Sequence, residues 1–268
     1  MNNYEKLEGM VAATFTPLDE NGDVNLSVID KYADWIASTP IKGVFVCGTT
    51  GEFSSLTIDE RNLILEKWLV SARKRFKVIA HVGSNCQRSA MELARHAAQV
   101  GADAIASIAP SFFKPGTVDE LVDFFAPICH SAAGLPFYYY NMPSITGVNL
   151  PVDKFLVEGK KKIPNLVGTK FTHNNLMEMG VCIELEQHRF EVLHGYDEIL
   201  ISGLAMGAVA GVGSTYNYIP NVYQAIFDSM KMNDLETARH NQIKSIRTVE
   251  VIIKYGGGVR GGKAIMKL

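Results

Sequence analysis

Eight short apolar runs of strand character, each followed by a longer stretch of helical periodicity, predict an α/β protein built as a (β/α)8 barrel. Two further observations support that class. The spacing from run to run suits βαβ units with right-handed crossovers, and 268 residues is a usual length for such a barrel as one domain. A doubly wound open sheet would produce the same local pattern and is the structural alternative.

The elements follow from local signals. Met10 to Phe15 reads as the first strand, closed by Thr16-Pro17 and the turn Asp19-Glu20-Asn21-Gly22. Ser27 is a candidate N-cap for a helix reaching about Ser38. Gly43 to Cys47 is the second strand, and Thr57-Ile58-Asp59-Glu60 is a capping box opening a helix that runs to about Lys74. Lys77 to Val82 is the third strand and Ser89 to Val100 its helix. Ala102 to Ala109 is the fourth strand, with a helix over Val118 to Ala132. Pro136 to Tyr140 is the fifth strand, and a shorter helix begins near Pro151. Asn165 to Thr172 is the sixth strand, followed by a helix over Asn174 to Gln187. Phe190 to His194 is the seventh strand, Ile199 to Met206 its helix, and Ala208 to Val212 the eighth strand. Helix resumes from Asn221, and the glycine-rich Gly256 to Gly262 reads as a break before a final piece. The division is therefore residues 1–220 for the barrel and 221–268 for a C-terminal helical appendix.

Composition excludes several classes. A hydrophobic fraction of 47% with 20% charged residues suits a globular protein with a sizeable core. A net charge of -2 gives no footprint for nucleic acid or an anionic membrane surface, so neither is an expected partner. No run is long enough to span a bilayer and no signal peptide is legible, which makes the cytoplasm the expected compartment. Cys47, Cys86, Cys129 and Cys182 are widely spaced in or beside apolar segments, so buried reduced thiols are expected, with no metal-ligand spacing.

The sixth strand carries the chemistry. Gly168, Lys170 and Thr172 share one face. An amine set in an apolar wall loses hydration, which disfavours its charged form and makes it a nucleophile able to form a Schiff base. A strand-end lysine that snorkels to solvent fits the same segment. The residues after the other strands decide between them, because catalytic groups of a barrel collect at the C-terminal ends of its strands. Gly48-Thr49-Thr50-Gly51-Glu52 offers hydroxyls and backbone N–H groups for a carboxylate, and equally suits a plain βα turn. Tyr140 precedes Asn141-Met142-Pro143-Ser144 and can relay a proton, whereas Phe137 and Tyr139 are expected to pack on helices. Gly195-Tyr196-Asp197-Glu198 places two carboxylates where a hydroxyl-rich ligand or a helix dipole would favour them. Gly211-Val212-Gly213-Ser214-Thr215 suits a phosphate, a sugar hydroxyl or a carboxylate.

These motifs, with Lys170-Phe171-Thr172 and Gly213-Ser214-Thr215-Tyr216-Asn217, occur in the order found in one family. From first strand to last residue the chain resembles the pyruvate-dependent class I lyases, the dihydrodipicolinate synthase / N-acetylneuraminate lyase family. The resemblance implies that Lys170 is the Schiff-base nucleophile and Tyr140 the proton relay. It implies that Thr49 and Thr50 hold a substrate carboxylate, and that Thr172, Gly195, Asp197, Glu198 and Ser214 contact a sugar chain. The covalent amine replaces any cofactor or metal, and a homotetramer is implied. Ile145 stands where the synthase branch carries a carboxylate-binding arginine, and Phe112 and Phe113 stand where that branch has an intersubunit tyrosine. Both differences favour the sialate-cleaving branch, whose reaction yields N-acetylmannosamine and pyruvate. Another sugar-acid aldolase or dehydratase of the family is the nearest alternative. A non-catalytic sugar-acid sensor has no use for the Lys170 and Tyr140 pair. Members of the family continue with further helix beyond the Gly-Gly-Lys-Ala-Ile-Met segment, so the appendix reads as shortened.

Overall fold

A computed structural model describes residues 4–267. Eight parallel strands close in chain order: β1 (Gly9–Ala13), β2 (Gly43–Val46), β3 (Lys77–His81), β4 (Ala104–Ile108), β5 (Phe137–Asn141), β6 (Leu166–Phe171), β7 (Glu191–His194) and β8 (Ala210–Gly213). β1 pairs with β2 on one side and with β8 on the other, where Val11 faces Val212, so the sheet has no free edge. The open-sheet alternative is thereby excluded.

Strand parity sorts the side chains into two apolar layers. Met10, Ala12, Val44, Val46, Phe137 and Tyr139 point outward into the shell beneath the helices. Val11, Ala13, Phe45, Ile79, Ala106, Tyr138, Tyr140, Leu193 and Val212 fill the barrel. Phe137 and Tyr139 meet Phe125 and Phe155 on the overlying helices, with Tyr139 and Phe155 centroids 4.6 Å apart, as expected for that run.

The helices of this shell are α1 (Val28–Ala37), α2 (Ile58–Ala72), α3 (Gln87–Val100), α4 (Val118–His130), α5 (Pro143–Thr146), α6 (Val152–Lys162), α7 (Leu176–Glu184), α8 (Leu200–Ala205) and α9 (Pro220–Lys231). Two more follow, α10 (Leu235–Lys254) and α11 (Gly258–Met266). The capping box at α2 forms as expected: the Glu60 N–H donates to Thr57 Oγ1 and the Thr57 N–H to the Glu60 carboxylate.

Five local expectations are corrected. Ser27 does not cap α1 with its side chain; its backbone is already helical and its hydroxyl donates to Asn25. Cys86 is exposed at the N-cap position of α3, beyond the end of β3, while the other three thiols are buried as expected. The eighth strand starts two residues late, because the Ala208 N–H still bonds back to Gly203 of α8. The glycine-rich tail breaks only at Gly256 and Gly257, both at positive φ, and Gly258 already begins α11. The one-turn helix α5 lies in a segment read as loop, although Pro143 at its start and Gly147 at positive φ after its end are ordinary helix signals.

Candidate active site

Lys170 projects from β6 into the barrel, level with Tyr140 of β5 and Leu193 of β7, its register partners. Its side chain does not snorkel: the residue is 4% exposed. The Nζ lies 4.3 Å from the Phe45 ring centroid and 4.0 Å from that of Tyr140. Burial pulls the amine down from its usual range to about 7, and the Asp197 carboxylate opposes that fall. Roughly half of such amines are neutral at pH 7, against roughly 3 in 10,000 at an unshifted 10.5. The snorkelling reading of this lysine is thereby excluded.

Tyr140 reaches the rim. Its hydroxyl lies 3.2 Å from Thr49 Oγ1 and donates to Met142 Sδ at 3.0 Å. Burial raises the phenol to about 12, with the Thr49 bond acting the other way. A standing phenolate at pH 7 would be about 1 in 100,000, so this group carries a proton rather than serving as a free base. Thr49 and Thr50 lie half-buried beside it, and among the described residues no acceptor is paired with their N–H groups. The turn that holds them folds on itself through the Glu52 N–H to Thr49 O bond of 3.0 Å and is tied to the β1 loop by Thr16 Oγ1 to Gly51 O at 2.7 Å.

The remaining sequence-predicted residues divide into two groups. Thr172 is buried with no hydrogen-bond partner for its hydroxyl among the described residues, and Gly195 packs so closely on it that a Cβ has no room. Glu198 and Ser214 are half-buried at the same end of the barrel. Asp197 is set deeper than a rim position. It is buried, with one carboxylate oxygen accepting from the Thr215 N–H at 2.8 Å and the Thr215 hydroxyl at 2.6 Å. Gly213 leaves the space that this carboxylate fills. Burial raises Asp197 to about 6.

Sequence reasoning passed over three contributors. Phe45 forms the floor under the amine, and its inward parity on β2 was the available signal. Met142 receives the Tyr140 hydroxyl. His81 packs against Phe45, Phe53 and Tyr140; its Nδ1–H donates to Cys47 O at 2.8 Å, and Nε2 accepts from the Ile108 N–H at 3.3 Å. Burial, with the nearby Arg61 charge, holds His81 neutral well below its usual range. Among the described residues no group of three or more His, Cys, Asp or Glu side chains converges as a metal site would, and no helix is long and apolar enough to cross a membrane.

The profile of the Dihydrodipicolinate synthetase family matches residues 6–268, and the chain belongs to that family. It is a class I aldolase, a carbon–carbon lyase. The particular proteins it is similar to are N-acetylneuraminate lyases. That of Mus musculus is 43% identical over 98% of this chain and 83% of its own length. The solved Proteus mirabilis N-acetylneuraminate lyase superposes with a TM-score of 0.95 at 36% identity, covering 98% of this chain and 88% of that one. The native N-acetylneuraminate lyase (sialic acid aldolase) of Aliivibrio salmonicida gives 0.95 at 37% identity, over 98% and 87%.

Proposed function

We propose that this chain cleaves N-acetylneuraminate reversibly to N-acetylmannosamine and pyruvate through a Schiff base on Lys170. The observation that carries this reading is the buried amine, brought to about 7 and set between Phe45 and Tyr140 at the mouth of the barrel. The similarity to N-acetylneuraminate lyases supports the choice of substrate. So does Ile145, which is 60% exposed beyond β5 and cannot pair with a second carboxylate as an arginine would.

The neutral Lys170 nitrogen adds to the ketone of the open-chain sugar acid, and loss of water gives a protonated imine. The bond from the carbon beside the imine to the hydroxyl-bearing carbon beyond it then breaks, its electron pair moving toward the imine to leave an enamine of pyruvate. The hydroxyl on the departing carbon loses its proton and becomes the aldehyde of N-acetylmannosamine. Tyr140 relays that proton, because its raised pKa keeps it protonated until a neighbour accepts from it; the substrate carboxylate is the assisting acceptor. Protonation of the enamine and addition of water return pyruvate and the free amine.

Thr49 and Thr50 hold the carboxylate and so fix the ketone over Lys170. Thr172, Gly195, Asp197, Glu198 and Ser214 form the wall for the sugar chain, with Asp197 acting from behind through Thr215 and through its charge on Lys170. No cofactor or metal is required, since the imine is itself the electron sink. The exposed Phe112 and Phe113, 75% and 87% accessible after β4, support assembly into a homotetramer, which sedimentation of the purified chain tests. The catalytic reading is tested by incubation with pyruvate and borohydride followed by peptide mass mapping. A reduced pyruvyl adduct on Lys170 is expected, and a folded protein without one refutes the proposal.

A further inference from the structure

Glu52 closes the turn that carries Thr49 and Thr50, and its carboxylate forms an ion pair with Lys263 of α11. We propose that Lys263 is a positioning residue for the substrate carboxylate, holding the Gly48–Glu52 turn in its receiving shape from the far end of the chain. This deepens the aldolase reading above and rests on it.

Three observations converge on the pair. First, Glu52 sits at φ 57° and ψ 36°, the left-handed region, which strains a residue with a side chain and not a glycine. From that backbone position the Glu52 carboxylate meets Lys263. Second, the turn's hydrogen bonds run within it or to Thr16, Phe53, Ser55, Tyr140 and Met142, and among the described residues none of them fixes the Glu52 side chain. The Glu52 and Phe53 N–H groups bond back to Thr49 O and Gly48 O at 3.0 and 3.3 Å, and Thr16 reaches Gly51 O. Third, α11 comes close enough only because Gly261 and Gly262 precede Lys263. A Cβ on Gly262 would collide with the ring of Phe15, and one on Gly261 would lie 3.0 Å from Ile252 O. The Gly-Gly-Lys run therefore reads as two close approaches followed by a charge delivered to the turn. Both charged side chains are mostly shielded, so the pair is screened less than a surface pair.

The test uses the full chain with Lys263→Met, Lys263→Arg, Glu52→Gln and the double variant Lys263→Met/Glu52→Gln. The readouts are kcat and KM for N-acetylneuraminate, the inhibition constant for pyruvate, and thermal unfolding. Removing either partner is expected to raise KM and the pyruvate constant about tenfold with kcat nearly unchanged, the scale of coupling between contacting residues. The double variant should be no worse than either single one, and Lys263→Arg should retain most of the wild-type KM. Unchanged KM in folded variants, a loss confined to kcat, or fully additive effects would each overturn the proposal. So would a lowered melting temperature with normal KM, which would make α11 a strap only. Should Lys263→Met not fold, Glu52→Gln breaks the pair without touching α11. Failure of wild-type protein to form the Lys170 adduct would refute the aldolase reading and this one with it; a wild-type adduct with unaffected variants refutes this one alone.

Discussion

Tyr140 and Lys170 are register partners on adjacent strands, and the lysine nitrogen lies over the tyrosine ring while the tyrosine hydroxyl turns to Thr49 and Met142. One side chain thus serves two ends. Its ring helps exclude water from the amine, and its hydroxyl reaches the turn where a carboxylate would sit. Imine formation and proton relay are separable in this geometry, which makes their mutants distinguishable.

Tyr140→Phe keeps the ring and loses the hydroxyl. Turnover is expected to fall by about 10²–10⁴, the usual contribution of a positioned acid–base group, while the borohydride-trapped adduct still forms. Normal cleavage of N-acetylneuraminate by this variant would remove the relay role.

Lys170→Met should abolish adduct and turnover and make the fold more stable. The folded state holds this amine near 7 against 10.5 when unfolded, so below about pH 7 the cost of protonating a buried amine is fully present. Between about 7 and 10.5 the unfolded chain binds the extra proton, and wild-type stability rises with pH. The variant's advantage, on the order of a few kcal/mol at neutral pH and below, should shrink toward pH 10. Urea unfolding of both proteins across that range measures it.

The acid limb of the pH–rate profile should report the Lys170 and Asp197 pair, between about 6 and 7. Asp197 opposes the fall of the lysine pKa, so Asp197→Asn should carry the limb to lower pH. A limb that moves upward, or stays in place, contradicts that coupling.

At the N-terminal end of the barrel, the Tyr138 hydroxyl and the Leu7 N–H both donate to Glu191, at 3.0 and 2.9 Å, and Tyr4 joins Tyr138 through its hydroxyl. Burial raises the Glu191 pKa. Tyr138→Phe should cost about 1–3 kcal/mol in urea unfolding by leaving a buried carboxylate short of a donor, with adduct formation on Lys170 intact.

The barrel was legible because parity and alternation are local properties. Lys170 could be placed inward from its neighbours Gly168 and Thr172, and the outward packing of Phe137 and Tyr139 followed from the same rule. Elements with ordinary signals but a single turn, such as Pro143–Thr146, fall below the length at which periodicity can be read. The burial of Asp197 was not legible, since it depends on Thr215 and on the space left by Gly213 in another strand. Nor was the Glu52–Lys263 contact, because nothing local to either residue names its partner. Cys86 stands at the N-cap position of α3 between polar neighbours, where exposure rather than burial follows.

Because β1 must pair with β8 to close the sheet, the first strand to leave the ribosome waits for the last before its second edge is satisfied. Until β8 is made the nascent chain therefore carries an unpaired β1 edge, and from the synthesis of β6 onward a solvated amine at Lys170. The reactive nitrogen gains its dry surroundings only at final closure, so a partly made chain lacks the neutral amine that capture of a keto acid needs.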